Sequence, residues 1–161
     1  MAAPNAAEFG EGTVTIRRTF DAPRALVWRA WTDPAIMAQW FGPRMFTTPV
    51  CELDVRVGGA LRIVMRGPDG NDYPMKGVFT EVVPEERLVF TNTPTDGSGN
   101  HLMEGETRVT FADAGGKTEL AVTAHMVGCA PLAKQMLAGM EMGWTQTVDK
   151  LEEMLARSPS P

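Results

Sequence analysis

The stretch Pro131-Leu-Ala-Lys-Gln-Met-Leu-Ala-Gly-Met-Glu-Met-Gly-Trp-Thr-Gln-Thr-Val-Asp-Lys-Leu-Glu-Glu-Met-Leu-Ala156 decides the fold. Within it Leu137, Met140, Trp144, Val148, Leu151 and Leu155 are spaced 3, 4, 4, 3 and 4 residues apart. On a helix they fall within about 80° of arc, a narrow apolar stripe. A helix that starts after Pro131 and runs to about Ala156 is roughly 35–40 Å long, enough to cross a whole sheet. Gly139 and Gly143 lie on a shoulder of the stripe. Each costs about 1 kcal/mol against alanine in a helix interior. The bare patch they leave admits either a strand or a bound molecule close to the helix backbone.

Upstream of this helix the apolar residues mostly alternate, the signature of strands. Thr118 to Met126 puts Leu120, Val122, Ala124 and Met126 on one face, and it pairs with Met103 to Phe111 around Asp113-Ala-Gly-Gly116. Lys76 to Val83 and Arg87 to Asn92 form a hairpin broken at Pro84-Glu-Glu. Thr93 to Asn100, rich in Pro, Gly, Ser and Asn, reads as a mobile loop. Gly67-Pro-Asp-Gly70 is a turn.

Cys51 to Val57 and Leu61 to Met65 flank Gly58-Gly59. Facing residues of a hairpin share a sheet face, so partner numbers must sum to an even number to keep the two apolar sets together. Pairing Asp54 with Arg62 meets that condition and opposes unlike charges, and it is the expected register. Near the start, Thr13 to Phe20 alternates as a first strand, with Val14, Ile16 and Phe20 on one side. Asp21-Ala-Pro23 and Asp33-Pro34 each start a helix, Asp33 as cap and Pro34 at the first helical position. Gly42-Pro43 ends the second. The order is strand, two helices, six strands, long helix, with no βαβ alternation.

The 161 residues, 43% hydrophobic and 22% charged, suit one globular α+β domain over 13–156. Residues 1–12 and 157–161 read as tails. No apolar run approaches the roughly 18 residues of a membrane span, and the first residues carry no leader pattern, so a cytoplasmic location without membrane insertion is the default expectation. A net charge of −5, with Lys and Arg scattered among acids, argues against nucleic acid as partner. Two cysteines, Cys51 and Cys129, read as reduced thiols, and with His101 and His125 they make a poor zinc set. No nucleotide fingerprint is present, and no cofactor or metal is implied.

Specific blocks carry a resemblance. Trp40-Phe-Gly-Pro43 is similar to a Trp-Trp-Gly-Pro segment, with Phe41 where a second Trp often stands. Leu53-Asp-Val-Arg-Val-Gly-Gly59 with Met65-Arg-Gly-Pro-Asp-Gly70, then Pro84-Glu-Glu-Arg-Leu-Val-Phe-Thr91, then Gly143-Trp144 before Leu151, follow in order. From about Thr13 to Leu155 the chain resembles the START-related, Bet v 1-like polyketide cyclase superfamily, in the branch of heat-shock-protein-90 ATPase activator homologues. The resemblance implies a helix-grip fold: a curved antiparallel sheet of about seven strands wraps the long helix around an apolar cavity. Members bind lipids, sterols, polyketides or plant hormones, and some are enzymes.

Eleven methionines occur, and Met37, Met65, Met75, Met103, Met126, Met136 and Met140 fall in or beside apolar faces. Flexible thioethers suit either core filling or a pocket that adapts to a greasy ligand. Trp40, Phe41 and Trp144 are the candidate aromatic wall. With Met65, Tyr73, Met75, Phe90, Met103 and Met140 they make the expected ligand-binding set. Tyr73, the only tyrosine, is a hydrogen-bond donor if its hydroxyl turns inward and an ordinary half-exposed residue if not. Arg62 and Arg66 read as surface residues, Glu106 and Arg108 as a pair on one face, and His101 as solvated. No catalytic residue stands out.

Three readings follow. The first is a binding protein for a small apolar or amphipathic molecule. The second is a cyclase- or lyase-type enzyme, which needs one of Tyr73, Glu106, Arg108 or His125 inside the cavity. The third is a chaperone-associated interaction or stress-response module, or a homodimer contact, for which Met142 is the exposed candidate.

Overall fold

A computed structural model describes residues 3–157. The first element among the described residues is a single helical turn, α1 (Ala6–Phe9), capped by Asn5, whose Oδ1 accepts from the Glu8 amide at 3.0 Å. The Asn5 amide bonds the Gly128 carbonyl at 2.9 Å. The strand β1 (Glu11–Phe20) follows at once. Part of the segment expected as a tail is therefore folded onto the sheet. Of residues 157–161, expected as the other tail, Arg157 is the last residue of the C-terminal helix and 158–161 lie outside the described residues.

Helices α2 (Arg24–Thr32) and α3 (Pro34–Trp40) form where the Pro and Asp signals place them. Asp33 caps α3, its Oδ1 accepting from the Ala35 amide at 3.0 Å. Six strands follow: β2 (Thr47–Leu53), β3 (Ala60–Arg66), β4 (Asp72–Val83), β5 (Arg87–Pro94), β6 (Met103–Ala114) and β7 (Lys117–Gly128). They join β1 in one seven-stranded sheet, ordered β1-β7-β6-β5-β4-β3-β2. Every pairing is antiparallel. Because β1 and β2 are the two edges, α2 and α3 carry the chain from one edge to the other.

The β2–β3 register differs from the expected one. Glu52, not Asp54, faces Arg62, and their charged groups are 3.4 Å apart. β2 stops at Leu53, and residues 54–59 fold into a turn in which the Asp54 amide bonds the Ala60 carbonyl at 2.9 Å. Asp54 meets Arg56 inside that turn, Oδ2 to Nε 2.9 Å, so it needs no partner across the hairpin. The slip is two residues, so each side chain keeps its face.

The C-terminal helix is also not continuous. It is α4 (Ala133–Ala138) and α5 (Met140–Arg157), divided at Gly139. Gly139 has φ −94° and ψ 0°, and its amide is shared between the Gln135 and Met136 carbonyls at 3.3 and 3.2 Å. Gly143 then bonds the Gly139 carbonyl at 2.9 Å and the helix resumes. Burial along the stripe is uneven. Val148, Leu151 and Leu155 are buried, whereas Leu137, Met140 and Trp144 are only partly covered. The second half of the stripe presses into the main core, with Trp31, Phe20, Leu88, Phe90, Val109, Phe111 and Leu120. At the edge, Arg18 of β1 ties α5 down through Asp149 and Glu152 at 2.8 and 2.7 Å. A smaller cluster of Met103, Met126 and Ala133 sits under α4.

The segment expected as a mobile loop is instead a turn built on Asp96. β5 extends to Pro94, Thr95 bridges to His101, and Asp96 Oδ1 accepts from the Ser98 and Asn100 amides, each at 2.9 Å. These bonds hold the Asp96 carboxyl below its ordinary value. His101, expected in solvent, keeps only 16% of its side chain exposed. Its Nδ1 lies 2.9 Å from Glu104 Oε2, because the bridge to Thr95 turns the ring toward β6.

Candidate ligand cavity

Between the thinly covered half of the helical stripe and the middle of the sheet lies a cavity of about 350 Å³. That volume is within the range of small-molecule sites, roughly 300–1,000 Å³. Its roof is Met136, Gly139, Met140, Gly143, Trp144 and Thr147 of the two C-terminal helices. Both glycines of the bare patch therefore face the cavity, and neither packs against a strand. A β-carbon added at Gly143 would meet only Pro43 Cγ, at 3.6 Å.

The sheet supplies the floor through Met75, Asn92, Met103, Thr107, Ala124 and Met126. Two strand glycines lie beside this floor. A β-carbon at Gly77 would fall 1.9 Å from the Thr91 carbonyl oxygen, and one at Gly105 would fall 2.0 Å from that of His125. Glycine inside a strand marks such a close backbone approach. Gly105 pairs with both Asn92 and Met126, so it sits at the level of the floor.

The side wall comes from the Trp40-Phe-Gly-Pro43 segment. Gly42 has φ 101°, which turns the chain so that Phe41 and Pro43 both border the cavity. Thr48 Oγ1 donates to the Phe41 carbonyl at 2.8 Å, and Lys150 Nζ donates to the Gly42 and Pro43 carbonyls at 3.1 and 3.4 Å. Burial lowers the Lys150 pKa, and the nearby Arg44 lowers it further. Behind the wall is an aromatic cluster. Trp144 stacks on Trp31 at 6.4 Å and meets Phe41 edge-on at 6.0 Å. At the mouth, Tyr73 packs on Phe46 at 5.6 Å, and its hydroxyl donates to Asp69 Oδ2 at 3.2 Å. Partial desolvation and the Asp69 charge raise the phenol pKa.

Of the expected ligand-binding set, Phe41, Met65, Tyr73, Met75, Met103, Met140 and Trp144 come together around the cavity. Trp40 and Phe90 do not. Trp40 is fully buried behind Phe41, its indole Nε1 donating to the Ala30 carbonyl at 3.0 Å. Phe90 points inward but lies two residues along β5 from Asn92, where it packs against Phe79 at 5.9 Å in the main core.

Glu106, Arg108 and His125 are not on the cavity wall. His125 is on the outer face with Thr13 and Glu11, at 2.7 and 3.5 Å. Arg108 pairs with Glu81 at 3.4 Å, not with Glu106. Arg66 pairs at the surface with Asp72 at 2.7 Å.

Sequence reasoning missed apolar lining residues such as Phe46 and Leu102, and, of more chemical consequence, the polar residues Asn92, Thr107 and Thr147. The three polar side chains are buried. The Thr107 hydroxyl donates to Asn92 Oδ1 at 2.6 Å, Asn92 Nδ2 faces the Met75 sulfur at 3.2 Å, and Thr147 Oγ1 donates to the Gly143 carbonyl at 2.7 Å. A signal for two of these polar residues exists in the sequence. Asn92 alternates with Leu88 and Phe90, and Thr107 with Val109 and Phe111, so both belong to inward faces.

Known proteins share this architecture. Protein CV1439 from Chromobacterium violaceum is 27% identical with a TM-score of 0.78, over 91% of this chain and 98% of that one. Protein NE0264 from Nitrosomonas europaea is 28% identical with a TM-score of 0.72, over 90% of this chain and 94% of that one. The AHSA1 protein from Silicibacter pomeroyi has the same fold, with 23% identity and a TM-score of 0.73, over 90% of this chain and 98% of that one. No curated protein matches the chain. A family model described as Activator of Hsp90 ATPase homolog 1-like protein matches residues 21–156, from just before α2 into the last turn of α5, and the chain belongs to that family.

Proposed function

We propose that the protein binds a small apolar or amphipathic molecule in the cavity between the sheet and the C-terminal helices. The observation that carries this reading is the composition of the wall. Six methionines line it: Met65, Met75, Met103, Met126, Met136 and Met140. Phe41, Phe46 and Trp144 add aromatic surface, and no described lining residue is Asp, Glu, Lys, Arg or His. Apolar surface left uncovered in a folded chain is covered favourably by an apolar partner. Thioether side chains repack at low cost around different shapes. The roof leaves its stripe half open where the remainder of the same stripe is sealed, which is the arrangement a removable occupant needs.

The test combines two measurements. Native mass spectrometry of freshly purified protein should show a mass increment that denaturation releases. Titration with N-phenyl-1-naphthylamine, a neutral apolar fluorophore, should give saturable single-site binding. Absence of both an increment and saturable binding would rule the reading out.

A further inference from the structure

Resting on that reading, we infer that Asn92 is the polar anchor of the cavity: its amide N–H donates to an oxygen of an uncharged ligand. A carbonyl-type oxygen at the ligand's buried end meets the requirement.

Asn92 is 4% exposed and borders the cavity from the middle of the floor. Leu88 and Phe90 share its strand face and are apolar. A buried amide is costly unless its hydrogen-bonding groups are engaged. Its oxygen is engaged by the Thr107 hydroxyl at 2.6 Å. That leaves the NH2 group, which carries two donor hydrogens. Its neighbour is the Met75 thioether at 3.2 Å, a weak acceptor that donates nothing. The sulfur also settles which way the amide points, because an oxygen in that place would face a lone pair and gain no bond. The Thr107 hydroxyl, which can donate or accept, then donates to the oxygen on the other side. The floor therefore presents a pre-oriented donor without a strong acceptor, in a wall that is otherwise mainly greasy.

The same wall decides the ligand's charge. No described lining residue carries a formal charge at neutral pH. An ion entering would lose its hydration with no countercharge to replace it. A neutral molecule with one acceptor oxygen loses little and gains the Asn92 bond. A site built to hydrogen-bond one group discriminates against analogues that lack it.

Three probes of matched shape test this: 2-acetylnaphthalene, with a carbonyl; 2-isopropenylnaphthalene, its oxygen-free counterpart; and 2-naphthoate, an anion. Each is titrated by calorimetry into the wild-type protein, into Asn92→Leu and into the double variant Asn92→Leu/Thr107→Val. The double variant removes both hydrogen-bond partners together, which leaves no stranded hydroxyl and protects folding. The wild type should prefer the ketone over the hydrocarbon by about tenfold and bind naphthoate weakest. Both variants should lose the ketone preference while still binding the hydrocarbon. A wild type without that preference, variants that retain it, or tightest binding of naphthoate would overturn the anchor while the cavity reading stands. Failure of all three probes to bind a wild type that takes up N-phenyl-1-naphthylamine would overturn the anchor alone; failure of all three and of N-phenyl-1-naphthylamine, with no co-purified mass, would overturn both.

Discussion

Gly105 on β6 lies so close to the backbone of β7 that a β-carbon would sit 2.0 Å from the carbonyl oxygen of His125. The Met126 sulfur would be 2.5 Å from the same point. The absent side chain is what lets Met126 lie across the floor of the cavity. Gly105→Ala should therefore destabilise the fold by about 2–4 kcal/mol, through backbone displacement rather than lost contacts. Urea unfolding should show a lower midpoint with an unchanged slope. An unchanged midpoint would mean that the strands part without cost.

Gly143→Ala should have effects of opposite sign on stability and binding. The residue is inside α5, and the new methyl would make only an ordinary 3.6 Å contact with Pro43 Cγ. Alanine gains about 1 kcal/mol over glycine in a helix interior, worth roughly 3 °C in Tm for a domain of this size. The methyl also narrows the gap between α5 and the Gly42-Pro43 turn, so N-phenyl-1-naphthylamine should bind several-fold more weakly. Thermal melts and titrations on the same sample check both signs; a variant that is both more stable and equally good at binding would separate Gly143 from the cavity.

Cys51 should be a sluggish nucleophile. Burial pushes its thiol up to about 11, and the carboxylates of Asp33 and Glu52 add to the effect. Between the unfolded value of about 8.5 and the folded one, the native chain holds a proton that the unfolded chain has lost. Stability from this group is thus complete below about pH 8.5 and declines as pH rises toward 11. Iodoacetamide should label Cys51 slowly at pH 8 in the native protein, with a rate that climbs through pH 10, and quickly in urea. Mass spectrometry of the labelled peptide reads the rate. Equal labelling in both states at pH 8 would contradict the shift.

Much of the fold is legible in residue order because it depends on local rules. Asp33-Pro34 favours a helix start through its own cap and ring, and the Leu120-Val122-Ala124-Met126 alternation makes one face of a strand apolar whatever covers it. The methionines Met65, Met75, Met103 and Met140 were legible as inward-facing for the same reason. The Glu52–Arg62 pairing was not, since it and Asp54–Arg62 satisfy one parity rule equally. A tight turn that engages Asp54 with Arg56 selects between them.

By itself, residue order determined the seven strands, the two helices after the first of them and the helical character of the C-terminal segment, since periods of two and 3.6 are properties of a single segment; the turn α1 and the break at Gly139 were not legible. Only the tertiary structure decided which inward-facing residues border empty space. Phe90 and Asn92 share a strand and a face, yet one is packed in the core and the other borders the cavity. The difference is what lies opposite: the well-covered end of α5 beyond Val148 closes the main core, while the two glycines of the roof leave room over the floor. Those contacts join segments distant in the chain, and no local period encodes them.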